Sequence, residues 1–444
     1  MPNGNLPNWI LEQEARALRT RLGRVKPFAL LEPMLPAAAI SASAQTAIER
    51  YLAGGRRELR GRIDGFLKWL QTPEGRSATP EDAQRRFTML RMRFNIVLSQ
   101  FDLFADVITQ RSEHESGVHL SGLDVVARDA LDLSGRYYQV PPVICYLDRG
   151  PGAAIRRART RMPGGTENPV AVIRVPRERM VGSGIASSLI HEAGHQGAAL
   201  LELVESLRPV LKQRAEAGGD DEVAWQMWER WISEIVADFW SVAHVGVAAT
   251  LGLMAVVSLP RAFVMRFGGD DPHPIPWIRV KLSAAMGRVL YPHEQWDKAS
   301  ALWEAFYPLG DLPAETRQLF AALEASMPEF VELLVNHRPP KLRGATLREA
   351  MPLEERAPER LREHYERWRR QPRLMREARP ALVFAVIGQV RIEGRISPEK
   401  ESRMLAYLLT YWAMRSTLNT TEFSARRSAL QEEPTPPGAV ALSQ

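Results

Sequence analysis

A chain of 444 residues, 45% hydrophobic and 25% charged, has the make-up of a globular protein with about three domains' worth of chain. Its net charge of +6 rests on arginines scattered among acids, which argues against a nucleic-acid partner. The single cysteine, Cys145, excludes an internal disulfide and a cysteine-rich metal site and favours a reducing compartment.

The N-terminal stretch does not follow the charged-then-apolar plan of a signal peptide. The run from Val245 to Leu259 is shorter than the about 18 apolar residues that mark a membrane span. It reads as a core helix, and the expected location is cytoplasmic.

In chain order, residues 1–45 read as a proline-punctuated extension and 46–138 as a helical region. Within it, Thr79 is the expected cap of a helix with Pro80 in its first turn. His114 and His119 are five apart, on different helical faces, and are expected in a polar turn. Pro142 to Asp148 reads as a strand. Asn168 to Pro176, with proline at both ends, reads as an edge strand suited to pairing with an extended peptide. Between them, Pro163-Gly164-Gly165 marks a loop.

The next stretch carries the chemistry. Ser183 is the expected N-cap of a helix containing His191-Glu192-Ala193-Gly194-His195. Histidines four apart stack on one face, within reach of a single ion. Neutral imidazoles hold Zn²⁺ and leave a coordination position open. Glu192, beside the first histidine, is the candidate base. Gly194 and Gly197 each cost a helix about 1 kcal/mol relative to alanine, so another backbone is expected to pack closely there.

The helix is expected to run on toward Pro209, and Ala217 to Asp221 breaks the chain. A second helix then brings Trp225, Trp228 and Trp231 at core spacing, followed by Glu234 and Asp238 one turn apart. Glu234 is the carboxylate to complete the metal ligands; Asp238 is placed to accept the Nδ1–H of a ligating histidine. His244 reads as a core histidine. His273, between Pro272 and Pro274, and Arg279 are candidates to stabilise an oxyanion.

His-Glu-x-x-His, Glu-x-x-Ala-Asp and His-Pro-x-x-x-x-Arg, in that order, resemble the gluzincin metallopeptidases, most closely the HtpX and CAAX-prenyl-protease group. The resemblance covers about residues 140–300. It implies His191, His195 and Glu234 as zinc ligands, Glu192 as the base, His273 and Arg279 in the cleft, and Asp238 supporting a zinc histidine as in thermolysin-like enzymes. The interval from His195 to Glu234 is shorter than in that group, and its transmembrane helices and the Gly-x-Met-Glu-Asn signature of one aminopeptidase group are missing.

The expected fold is mainly α with a small β-sheet, an α+β zincin-like core at 139–300. A helical region at 301–419 and a disordered tail at 420–444 follow. The expected function is zinc-dependent hydrolysis of a peptide or protein substrate. The alternative is a non-catalytic protein that keeps zinc as a structural clamp.

Overall fold

The computed structural model describes residues 6–431 apart from 26, 28, 30–33, 149–152, 163–166, 178–181, 220, 269–270 and 311. Backbone alone is described for 114–115, 183, 185, 420 and 422–431. The loop expected at Pro163-Gly164-Gly165 lies outside the described residues.

The chain is mainly helical with one three-stranded mixed sheet. Its N-terminal part is built from α1 (Leu6–Arg24), α2 (Ala42–Gln71) and α3 (Pro80–Thr109). Ile48, Leu52, Leu59, Ile63, Phe66 and Leu70 recur at helical spacing on α2, and all are buried against the matching stripe of α3. Thr79 caps α3 as expected: its Oγ1 accepts the Asp82 N–H at 3.2 Å. Helix α4 (His114–Leu131) follows. His114 and His119 therefore begin a helix instead of sitting in a loop, and His119 is buried.

Strands β1 (Val143–Asp148), β2 (Ala154–Arg156) and β3 (Ala171–Pro176) form the sheet in the order β1-β3-β2. β3 runs parallel to β1 and antiparallel to β2. The expected edge strand is thus the central one, and the edges are β1 and the three-residue β2 inside the arginine-rich segment. Proline flanks allowed this because Pro176 closes β3 and Pro169 precedes it, so neither interrupts the paired backbone.

Alternation makes the sheet a wall between two cores. Ile144 and Val172 face the α1–α3 core, while Cys145, Leu147 and Ile173 face the larger core beyond. A buried ion pair fixes β1 to α4. Both Arg111 nitrogens lie 3.0 Å from Asp124, Arg111 also donates to the Cys145 carbonyl, and the Cys145 N–H donates to Asp124 at 2.7 Å.

The larger core begins with α5 (Ser183–Leu201), α6 (Leu203–Glu216), α7 (Glu222–Val245) and α8 (Val247–Val257). Gly182, at φ 136°, precedes α5, so Ser183 is its first helical residue and not its cap. The helix does not run on through Pro209: Glu202 turns left-handed at φ 54° and starts α6. Trp225, Trp228 and Trp231 are all buried, as their spacing predicts. Gly246, at φ 59°, breaks the apolar run after His244, and α8 packs inside the core. Among the described residues no helix is long and apolar enough to cross a membrane.

Helices α9 (Pro276–Leu290), α10 (Gln295–Phe306), α11 (Ala314–Asn336), α12 (Pro358–Arg370), α13 (Pro380–Ile392) and α14 (Pro398–Gln431) complete the chain. α13 is buried from Ala381 to Val390. One core extends from Leu120 to Trp412, across the expected divisions at 138/139 and 300/301. α14 continues to Gln431, so eleven residues past Thr420 are helical where a tail was expected; 432–444 lie outside the described residues.

Candidate metal centre

The site forms where α5 crosses α7. Gly194 and Gly197 allow the approach: a Cβ on Gly194 would stand 2.8 Å from the Trp240 Cβ and 3.0 Å from the Ala237 Cα, and one on Gly197 only 2.5 Å from the Trp240 ring. The indole N–H of Trp240 donates to the Ala130 carbonyl at 2.9 Å, which fixes that ring between the helices.

This crossing brings together the three residues expected to bind metal. His191 Nε2 lies 3.4 Å from Glu234 Oε2, and His195 Nε2 lies 3.4 Å from Glu234 Oε1. One ligand atom from each residue falls within 4.8 Å of the other two. Ligands held 2.0–2.2 Å from a tetrahedral zinc sit about 3.3–3.6 Å apart; the two imidazoles stand at that spacing from Glu234, each from a different carboxylate oxygen. The donor set of two imidazoles and a carboxylate also suits zinc.

Asp238, one turn past Glu234, has Oδ1 2.8 Å from His191 Nδ1, although the N–H does not point straight at the oxygen. This leaves Nε2 of His191 on the side of Glu234, the arrangement expected from the sequence. Arg279, in the first turn of α9, lies behind the cluster. Its Nε donates to Asp238 Oδ2 at 2.6 Å, and its Nη2 donates to Asp238 Oδ1 at 2.9 Å and Glu234 Oε2 at 3.3 Å. The guanidinium thus faces both carboxylates, and its Nη2 also lies 3.5 Å from His191 Nε2.

His273 stands at the open side, half exposed, with Nε2 3.5 Å from Glu234 Oε2. Its Nδ1 lies 2.8 Å from Asp271 Oδ1, and its backbone N–H donates to the same oxygen at 3.0 Å. Asp271 is a residue that the sequence reading did not single out. Its signal was an aspartate two residues before a proline-flanked histidine, where a carboxylate bonds its own backbone two residues on.

The electrostatics follow from two buried carboxylates facing one arginine. Burial opposes ionisation of Glu234, but hydrogen bonds from His191 and His195 and the Arg279 charge hold it far below the ordinary carboxylate range. Asp238 is lowered against the same burial penalty by Arg279 and His191. His191 is driven the other way: burial disfavours its proton, yet Asp238 and Glu234 raise it to about 9. The cluster therefore demands positive charge, and a metal cation would meet that demand by displacing a proton. Glu192 is raised by burial, with the two histidines opposing the shift.

Glu192 lines the same cavity of about 450 Å³, which opens to solvent. One wall is Ala153 with Ala154 and Ile155 of β2; Leu253 and Val256 of α8 form an apolar wall. Gln196, also unmarked in the sequence, holds β2 in place, because its Oε1 accepts the Ala158 N–H at 2.7 Å. His244 is not part of the site: it is buried, stacks on Trp240, and has Nδ1 2.8 Å from the Trp240 carbonyl. His337 lies against Ser206 at 2.9 Å, away from the cluster.

Compared with family models, curated proteins and solved structures, the chain has no match. The functional reading therefore rests on the site itself.

Proposed function

We propose that this chain is a zinc-dependent peptidase whose metal is held by His191, His195 and Glu234. The observation that carries the reading is that His191 and His195 each stand 3.4 Å from one oxygen of the Glu234 carboxylate, with Glu192 beside them on an open cavity. Zinc, when bound, supplies a Lewis acid that polarises a carbonyl and lowers the pKa of a bound water to about 7.

The protein's own groups supply the remaining steps. The Glu192 carboxylate takes the proton of the attacking water and passes it to the nitrogen of the leaving amine; burial raises its pKa and so its basicity. His273, steadied by Asp271, offers Nε2 toward the oxygen that gains charge. Asp238, anchored by Arg279, keeps the His191 proton on Nδ1 and its Nε2 lone pair toward the ion. The side of β2 away from β3, unpaired among the described residues, offers backbone groups to an extended polypeptide, which favours a peptide or protein substrate. A cytoplasmic location fits the one cysteine, which is buried.

The second reading, a zinc clamp, has one observation in its favour. His273 Nε2 is close enough to Glu234, at 3.5 Å, to serve as a fourth ligand, and four protein ligands close a zinc site.

Metal analysis and a peptidase assay separate the two. The purified chain should hold one zinc, lost in His191→Ala and His195→Ala. Glu192→Gln should keep zinc and lose hydrolysis, while His273→Ala should keep zinc with reduced hydrolysis. Zinc retained in both single histidine variants refutes the site. Zinc lost in His273→Ala, with no hydrolysis by the parent, establishes the clamp.

A further inference from the structure

The edge strand β2 separates the metal-site cavity from a second one of about 460 Å³. Ala154, Ile155 and Arg157 line both, so the two cavities border the same short strand. The second cavity lies on the sheet face toward α3, where Leu103 borders it.

Its polar lining is strongly one-sided. Arg156, Arg157 and Arg174 contribute side chains, together with Tyr146 and Thr160, and among the described residues no carboxylate lines it. Arg174 lies 3.7 Å from Asp148, which neutralises part of its charge. Arg156 and Arg157 are exposed, and among the described residues neither forms an ion pair. Asp106 of α3 is near enough to influence Tyr146, as are Arg156 and Arg174. The balance remains positive.

The strand register says which substrate groups would meet this charge. Ala154 pairs with Arg174, which pairs in turn with Tyr146, so these three and Arg156 share one face, while Ile155 and Ile173 share the other. A polypeptide added to the side of β2 away from β3, which no described strand covers, alternates its side chains between those faces. Every second side chain would point toward Arg156 and Arg174, and those between would point toward Ile155 and the metal site, with Arg157, just past the strand, bordering both cavities.

We propose that Arg156, Arg157 and Arg174 form a subsite for carboxylate side chains, so that this chain selects extended segments carrying Glu or Asp at alternate positions. The proposal rests on the peptidase reading for its catalytic consequence but not for binding itself. Arginine suits the task because its planar fork pairs with a carboxylate through two N–H donors. A nucleic acid is the less fitting occupant, because the cavity borders a strand edge and holds a single aromatic side chain, Tyr146, without the stacking platform that single strands use.

Fluorescence anisotropy on the zinc-loaded full-length Glu192→Gln variant tests this without interference from cleavage. The probes are labelled ten-residue peptides with Glu, Gln or Lys at alternate positions. The Glu peptide should bind about tenfold tighter than the Gln peptide at low salt, the yield of two partly exposed charge pairs. That preference should vanish at 0.5 M salt (about three times physiological).

In the Glu192→Gln background, Arg156→Gln with Arg157→Gln should abolish the preference, and Arg156→Glu with Arg157→Glu should reverse it toward the Lys peptide. Both positions are exposed, so thermal unfolding should be unchanged and loss of fold is checked directly. Equal or absent binding of the three peptides overturns the proposal. So does a single-stranded oligonucleotide that binds as tightly as the Glu peptide and is lost in the same variants. Charge-selective binding by a chain that never hydrolyses a peptide keeps the subsite and removes the peptidase reading; hydrolysis without charge selectivity does the reverse.

Discussion

Gly194→Ala tests the helix crossing on which the metal centre depends. In an exposed helix this change stabilises by about 1 kcal/mol. Here the new methyl would stand 2.8 Å from the Trp240 Cβ, 3.0 Å from the Ala237 Cα and 3.1 Å from the Ala237 carbonyl oxygen. Comfortable carbon–carbon contact needs about 3.5–4.0 Å. Two of the three obstacles are backbone, so no side-chain rotation relieves them, and α5 must withdraw from α7 by a large part of an ångström.

Overpacking of this kind costs about 1–3 kcal/mol. The upper end applies against backbone, leaving a net loss of about 1–2 kcal/mol after the helical gain. The same withdrawal opens the 3.4 Å gap between His195 and Glu234, and metal sites tolerate only about 0.2 Å of change in ligand distance. Zinc affinity should therefore fall about tenfold or more. Urea unfolding of the metal-free variant reads the first effect, and a chelator competition reads the second. A variant that is about 1 kcal/mol more stable, with unchanged zinc affinity, refutes the reasoning.

Two further outcomes follow from named contacts. Glu234→Ala removes a ligand and should nearly abolish zinc binding, whereas Asp238→Asn should weaken it about 10–100-fold and be fully restored by excess metal; equal loss in both variants would make Asp238 itself a ligand. His244 should make the fold acid-sensitive, because burial, aided by the Arg356 charge, pushes its pKa from 6.5 down to about 3. The unfolded chain binds that proton first, so its contribution is complete above pH 6.5 and falls as the pH drops toward 3, by up to about 1.4 kcal/mol per unit. His244→Phe should flatten the stability slope between pH 6.5 and 5, and an unchanged slope in urea midpoints would show that another group carries it.

The residues of the candidate centre were legible in the sequence because the relations that define them are local. A spacing of four on one helix puts His191 beside His195, and the same spacing puts Glu234 beside Asp238. The tryptophan stripe of α7 and the cap of α3 were legible for the same reason, since helical periodicity and capping act within a few residues. The small sheet was visible as two β-branched runs, but its third strand was not. Ala154-Ile155-Arg156 is too short to carry a strand signal, and β2 exists because β3 offers it a partner and Gln196 and Asn168 hold its outgoing chain.

Sequence alone also could not decide strand order, because pairing joins segments through space and prolines mark only the ends of a strand. The close partner of Gly194 and Gly197 was predicted in kind but named only by the fold, as Ala237 and Trp240. The partners of Arg279 were hidden for a similar reason: the packing of α9 against α7 turns its guanidinium onto Asp238 and Glu234. The chain thus determined by itself which side chains share a helical face. Only the tertiary structure decided which faces meet, because the distances between α5, α7, α9 and β2 are set by packing among residues far apart in sequence.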